Sequence, residues 1–227
     1  IPRTTPKPSS WRSAKGSRCI PLLLASVGSM KISLHGQSAV AVEAPQGHIV
    51  IDPGPFSDLS CLEGAGAVLL THAHGDHLDV DAVRTTGLPV WGTHEAIDAL
   101  GSGTVVRAGE KFTVLGLEIH AVGGLHEEIH PNIPRPENVG YLFGGVLHPG
   151  DQWVDVNGVD VLLLPIAGPW VRGADAADYA MRIGARLTLP IHDAVLSDVG
   201  KRVTDGMLQR AGVTGYQRPA LGEVVVV

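Results

Sequence analysis

The stretch AVLLTHAHGDHLDVD, Ala67 to Asp81, constrains this chain more than any other. Ala67–Leu70 is a short uninterrupted apolar run of the kind that forms a buried strand. His72, His74, Asp76 and His77 follow it directly, four metal-capable side chains within six residues. Loops at strand ends are where a rigid scaffold carries chemistry. In an extended segment alternate side chains share a face, so His72 and His74 can hold one ion. Gly75 then permits a reversal that turns Asp76 and His77 towards a second position. Imidazole and carboxylate donors suit zinc, manganese or iron, and the stretch reads as half of a two-metal site.

The rest of the chain supplies a frame for such a loop. KISLHG, SAVAVEA and HIVID read as strands closed by the hard stop PGP. After the histidine cluster come a helix (DVDAVRTTG), a strand (PVWG) and a second helix ending on Gly101. KFTVLG with LEIHAV predicts a hairpin about Gly116, and VGYLF with GVLH another about Gly144 and Gly145. VDVLLLP and LTLPIH are buried-strand patterns, GADAADYAMRIGA and SDVGKRVTDGMLQRAG are helical, and GEVVVV is a closing strand. A strand meander followed by alternating strands and helices, restarting halfway, predicts two packed sheets with helices outside.

Composition narrows the function. At 227 residues with 44% hydrophobic and 18% charged residues, the chain is globular in type. Five of its basic residues fall in residues 1–29, which hold no acidic one, leaving a body with 12 basic and 23 acidic side chains. So acidic a body has no electrostatic footprint for duplex nucleic acid. No apolar run reaches membrane-span length. The two cysteines, Cys19 and Cys61, have neither metal nor redox spacing. The expected partner is a small-molecule substrate, with neither nucleic acid nor membrane, and a homo-oligomer is compatible with the sequence. Residues 1–29 are Pro-, Ser- and Arg/Lys-rich and are expected to stand outside a single domain of residues 30–227, with Met30 as the natural start. The expected location is cytoplasmic, or secreted or periplasmic if residues 1–29 are a signal segment.

THAHGDHLD matches the H-x-H-x-D-H signature of the metallo-β-lactamase fold superfamily. IDPG (Asp52), HPGD (Asp151) and LPIHD (His192) follow in the order that fold requires, so the resemblance covers nearly all of residues 30–227. The chain resembles most the small lactonase-like metal-dependent hydrolase branch, that of ascorbate-phosphate lactonase-type proteins. The resemblance implies an α/β fold, a four-layer αβ/βα sandwich of two mixed sheets with outer helices. It also implies two divalent ions, Zn2+ first and Mn2+ or Fe2+ as alternatives. His72, His74 and a mid-chain histidine would hold the first, Asp76, His77 and His192 the second, with Asp151 bridging. Asp52, ending its strand, is expected to brace the motif loop rather than to ligate. In the branch a Gly-His pair near the start is usual; here Gln37 stands at the matching place, with His35 two positions earlier.

Four histidines compete for the mid-chain position. His94 opens a helix and His120 lies inside a strand, so both read as structural or surface residues. His126, just past the strand LEIHAV, is the expected ligand, with His130 its rival and otherwise a pocket residue acting as acid or base. Asn138 and Tyr141 are candidate substrate contacts. HEEIH (His126–His130) also spells the H-E-x-x-H of zincin proteases, which needs a long helix and Glu127 as base. Gly123, Gly124 and Pro131 leave room for one turn at most. GQSAV lacks the second glycine of a nucleophile elbow, and no phosphate-loop lysine motif occurs. The expected activity is hydrolysis of an ester, lactone or amide-like bond through a metal-bridging hydroxide, with Asp76 and Asp151 as catalytic carboxylates. A phosphodiesterase or β-lactamase of the same fold, or a non-catalytic metal-binding module, are the alternatives.

Overall fold

The structure is a computed structural model and describes residues 30–227; the expectations for residues 1–29 lie outside the described residues. One sheet contains β1 (Lys31–Leu34), β2 (Val40–Ala44), β3 (Gly47–Ile51), β4 (Ala67–Leu70), β5 (Val90–Gly92) and β6 (Thr104–Val105), with the last strand, β13 (Val224–Val226), added beside β1. The other contains β7 (Lys111–Val114), β8 (Leu117–Leu125), β9 (Glu137–Phe143), β10 (Val146–His148), β11 (Val161–Pro165) and β12 (Leu187–Ile191). In each sheet an antiparallel meander passes into parallel pairing, at β3–β4 in the first and β10–β11 in the second. The expected two mixed sheets are what the chain forms.

Strand periodicity explains the layering. Along β4, Ala67 and Leu69 enter the core between the sheets, while Val68 and Leu70 meet Val83 of α1 (Val80–Thr86) and Ala96, Ile97 and Leu100 of α2 (His94–Leu100). Along β11, Val161 and Leu163 join the same central core, and Leu162 and Leu164 meet α3 (Gly173–Ile183) and Leu208 of α4 (Asp198–Ala211). Strands apolar on both faces need cover on both, and sandwiching each sheet between a helix layer and its partner sheet supplies it. The helix ends are set locally: Asp79, Thr93 and Ser197 cap α1, α2 and α4, and a left-handed glycine follows each.

Two elements have no clear counterpart in the sequence pattern. β6 is two residues long, and a 3-10 turn at Leu59–Leu62 crosses between β3 and β4. β8 also runs past LEIHAV through both glycines to Leu125, because its last residues pair with β9 as far as Glu137. That extension delivers His126 at a strand end. Among the described residues no helix is long and apolar enough to cross a membrane.

Candidate metal centre

Seven side chains from four strand ends converge. His72, His74, Asp76 and His77 follow β4, His126 follows β8, Asp151 follows β10 and His192 follows β12. Donor atoms of His72, His74, His126 and Asp151 lie within 4.8 Å of one another, and so do those of Asp76, His77 and His192. Asp151 belongs to the first group yet reaches the second. Its carboxylate stands 3.2 Å from His126 Nε2 and 3.9 Å from His72 Nε2, but also 3.3 Å from His77 Nε2 and 3.1 Å from His192 Nε2.

The donor set can be tested against a cation from within the structure. Seven buried side-chain nitrogen and oxygen atoms lack a hydrogen-bond partner among the described residues, and five belong to His72, His77, Asp151 and His192. Each such orphan costs about 1–3 kcal/mol of desolvation if nothing satisfies it. A neutral His192 ring carries a proton on one nitrogen, so four of the five, one from each residue, can offer a lone pair at once, and four such atoms of metal-binding type in one spot fit a cation centre.

The surrounding bonds aim these lone pairs inward. Asp52, wholly buried at the end of β3, accepts from the Thr71 N–H (2.7 Å), the Thr71 hydroxyl (2.6 Å) and His77 Nδ1 (2.8 Å). Thr71 Oγ1 in turn lies 3.0 Å from His72 Nδ1. A proton on Nδ1 of each ring completes these bonds and leaves Nε2 of each as a free donor to a metal. His126 Nδ1 is likewise 2.6 Å from the Glu127 carbonyl. Asp52 is therefore a brace, as its strand-end position suggested. The turn that brings it there needs Gly54, where an added Cβ would fall 1.9 Å from the Asp76 carbonyl oxygen. Asp151 is held by Asn138, whose side chain accepts from the Asp151 N–H (2.9 Å) and donates to the Pro149 carbonyl (3.0 Å). The Trp170 indole N–H donates to Asp151 Oδ2 at 3.1 Å, so Oδ1 remains the free oxygen.

Strain gathers here too. Of the four non-glycine residues with left-handed backbone among the described residues, Gln37 (φ 44°), Asp52 (φ 50°) and His192 (φ 57°) adjoin the centre; Leu115 serves the β7–β8 turn. Such conformations cost roughly 1–3 kcal/mol and persist where surrounding bonds over-determine them.

The electrostatics carry the same signature. Burial, helped by His77, holds His72 well below the usual histidine range. Burial would lower His77 as well, but Asp151 and Asp52 push it well above that range. His192 is raised to about 9, Asp151 again outweighing burial. Burial opposes charge on Asp151, yet His77 and His192 hold it well below the carboxylate range. Asp151 thus stays charged by drawing positive charge to one point, the role a bound cation would take over with release of protons.

His130 stands apart. It is exposed, its Nδ1 accepts from the Asn132 N–H (3.1 Å), and its carbonyl from the Ile133 N–H, a turn that keeps it outside the two groups. Asn138 and Tyr141 are not surface contacts. Tyr141 is fully buried with its hydroxyl on the Leu70 carbonyl (2.8 Å), and Asn138 spends its amide on the Asp151 turn. His94 and His120 are peripheral, paired with Asp98 and Glu118. No helix forms at HEEIH, so the geometry of a zincin is missing. The functional residue that sequence reasoning undervalued is Gln37, which donates to Asp76 Oδ2 at 2.6 Å.

Known proteins place this geometry in a family. The model of the β-lactamase superfamily domain matches residues 31–192. Protein Rv0786c of Mycobacterium tuberculosis is 32% identical over 202 residues, covering 83% of this chain and 95% of that protein. A UPF0173 metal-dependent hydrolase of Geobacillus thermodenitrificans is 30% identical over 208 residues, covering 72% and 85%. Among solved structures, Igni18, a metallo hydrolase from Ignicoccus hospitalis, superposes with a TM-score of 0.65 at 22% identity over 88% of this chain and 98% of that one.

Proposed function

The chain belongs to the β-lactamase superfamily as a metal-dependent hydrolase, and on that premise we propose that it cleaves an ester, lactone or amide-like bond of a small molecule with two divalent cations. The observation that carries this reading is the set of unpartnered buried side-chain atoms on His72, His77, Asp151 and His192. His72, His74 and His126 would hold one cation and Asp76, His77 and His192 the other, with Asp151 shared between them. Bound divalent cations supply Lewis-acid polarisation of the scissile bond and a hydroxide at neutral pH. All-imidazole and carboxylate donors make Zn2+ the proposed ion, with Mn2+ or Fe2+ as alternatives.

The chain's own residues then have separable tasks. Asp151, with Oδ2 fixed by Trp170, presents Oδ1 to orient the attacking water. Asp76 is the carboxylate of the centre with solvent access, its side chain 25% exposed, and it would help orient that water. Asp52 and the Glu127 carbonyl keep the imidazoles of His77 and His126 turned inward throughout. No side-chain nucleophile is required. Burial pushes the Cys61 thiol up to about 11, which leaves it protonated at neutral pH. The acidic composition of residues 30–227 disfavours a nucleic-acid substrate, and the lactonase-like resemblance favours a small cyclic or open ester.

A panel of nitrophenyl esters, lactones, bis-nitrophenyl phosphate and nitrocefin, each with and without added Zn2+ or Mn2+, tests the proposal. Metal-stimulated turnover of esters or lactones supports it. Turnover confined to the phosphodiester or nitrocefin would replace it, and metal uptake with no turnover of any would leave a binding module.

A further inference from the structure

Gln37 is 3% exposed and lies in the turn between β1 and β2, far in sequence from every residue of the metal centre. Its side-chain Nε2 donates to Asp76 Oδ2 at 2.6 Å. Its Oε1 accepts from the Ala194 N–H at 3.0 Å, two residues past His192. Its carbonyl oxygen accepts from the His192 N–H at 2.6 Å. One residue therefore grips both ends of the second donor group. Asp76 Oδ2, the oxygen it holds, is the one facing that group: it stands 3.3 Å from His192 Nε2 and 3.7 Å from His77 Nε2. Nothing comparable links Gln37 to His72, His74 or His126 among the described residues; Thr71 holds His72 and the Glu127 carbonyl holds His126.

The backbone supports a dedicated role. Gln37 takes φ 44°, which a glutamine adopts at a cost and which glycine would adopt freely. His192, its backbone partner, is also left-handed at φ 57°. A neutral amide suits the task chemically. It offers one donor to a carboxylate and one acceptor to a peptide N–H, and it adds no charge to a centre already holding Asp76 and Asp151.

We propose that Gln37 is a positioning residue for the second cation alone, fixing Asp76 and the His192 loop as one unit. This rests on the two-cation reading. The test is stepwise titration of metal-free protein with Zn2+ against a chromophoric chelator, with thermal melting of each metal-free variant alongside. Gln37→Met keeps the volume and removes both side-chain bonds. Gln37→Glu keeps an acceptor for Ala194 but sets a carboxylate against Asp76. Expected for both is a second step weakened by roughly 10–100-fold, the usual range for a residue that orients a ligand, with the first step within about threefold and Gln37→Glu the worse. If wild type takes up two equivalents and both variants titrate like it, or lose both steps equally, the inference fails alone. If wild type takes up one equivalent, the two-cation reading fails and carries the inference with it.

Discussion

Replacing Asp52 with Asn isolates the brace behind the histidine loop. The side chain keeps its shape, and Asn tolerates φ near +50° at least as well as Asp, so backbone strain does not confound the change. In the native protein three donors converge on the Asp52 carboxylate within 2.8 Å: the Thr71 N–H, the Thr71 hydroxyl and His77 Nδ1. An amide has one acceptor oxygen, and its NH2 must face one of those donors. At least one bond to a charged acceptor is lost and its buried donor is left unpaired, a single effect that costs about 2–4 kcal/mol. A domain of this size shifts its Tm by about 2–4 °C per kcal/mol, which gives a fall of roughly 4–16 °C in metal-free protein. His77 also loses the partner that sets its proton on Nδ1, so Zn2+ affinity should drop by about 10–100-fold. Calorimetric melting and chelator competition measure the two effects separately. A variant with wild-type Tm and wild-type affinity would refute the claim that Asp52 orients this loop.

Further expectations follow from neighbouring residues. His126→Ala should remove a cation and activity together, measured by metal analysis and by turnover of whichever substrate the panel yields. Glu127→Gln should leave both within a few-fold of wild type; a fully metallated but inactive protein would restore the protease-type role that its non-helical setting argues against. Asn138→Ala removes two of the bonds that hold the Asp151 turn and should destabilise the protein by about 1–3 kcal/mol in urea unfolding. Asp205 is held below the usual carboxylate range against partial burial by Arg218 and Tyr216. Its folded value is therefore the lower one, so its contribution is present above about pH 4 and lost as pH falls through the folded value. Arg218→Met should lower stability at pH 7 by a modest amount, given partial solvent screening, and reduce the acid-side loss; equal pH profiles would contradict this.

The fold was legible because its signals are local. Apolar runs such as Ala67–Leu70 and Leu187–Ile191, with caps at Asp79 and Ser197, mark elements without any knowledge of partners. The two-residue β6 exists only because β5 offers it an edge, and no propensity announces that. The histidine cluster was legible for the same reason, being four donors on one loop. His126, Asp151 and His192 were reached through resemblance to a family order, since nothing in GGLHEE or LPIHD says which other strand end lies 3 or 4 Å away. Side-chain direction was the hardest to read. Asn138 and Tyr141 look like pocket residues in sequence, but strand register turns Tyr141 into the space between the sheets, where Leu70 takes its hydroxyl. Gln37 showed only as a departure from a pattern. Its contacts lie 39 and 157 residues away and exist only in the folded chain.

The central claim is that two divalent cations share Asp151. The most direct measurement is anomalous diffraction at the zinc edge from crystals of the protein equilibrated with Zn2+. The account predicts two peaks flanking Asp151, one among His72, His74 and His126 and the other among Asp76, His77 and His192, and loss of both in crystals of Asp151→Ala. A single peak at saturating Zn2+, or peaks away from these residues, would contradict it.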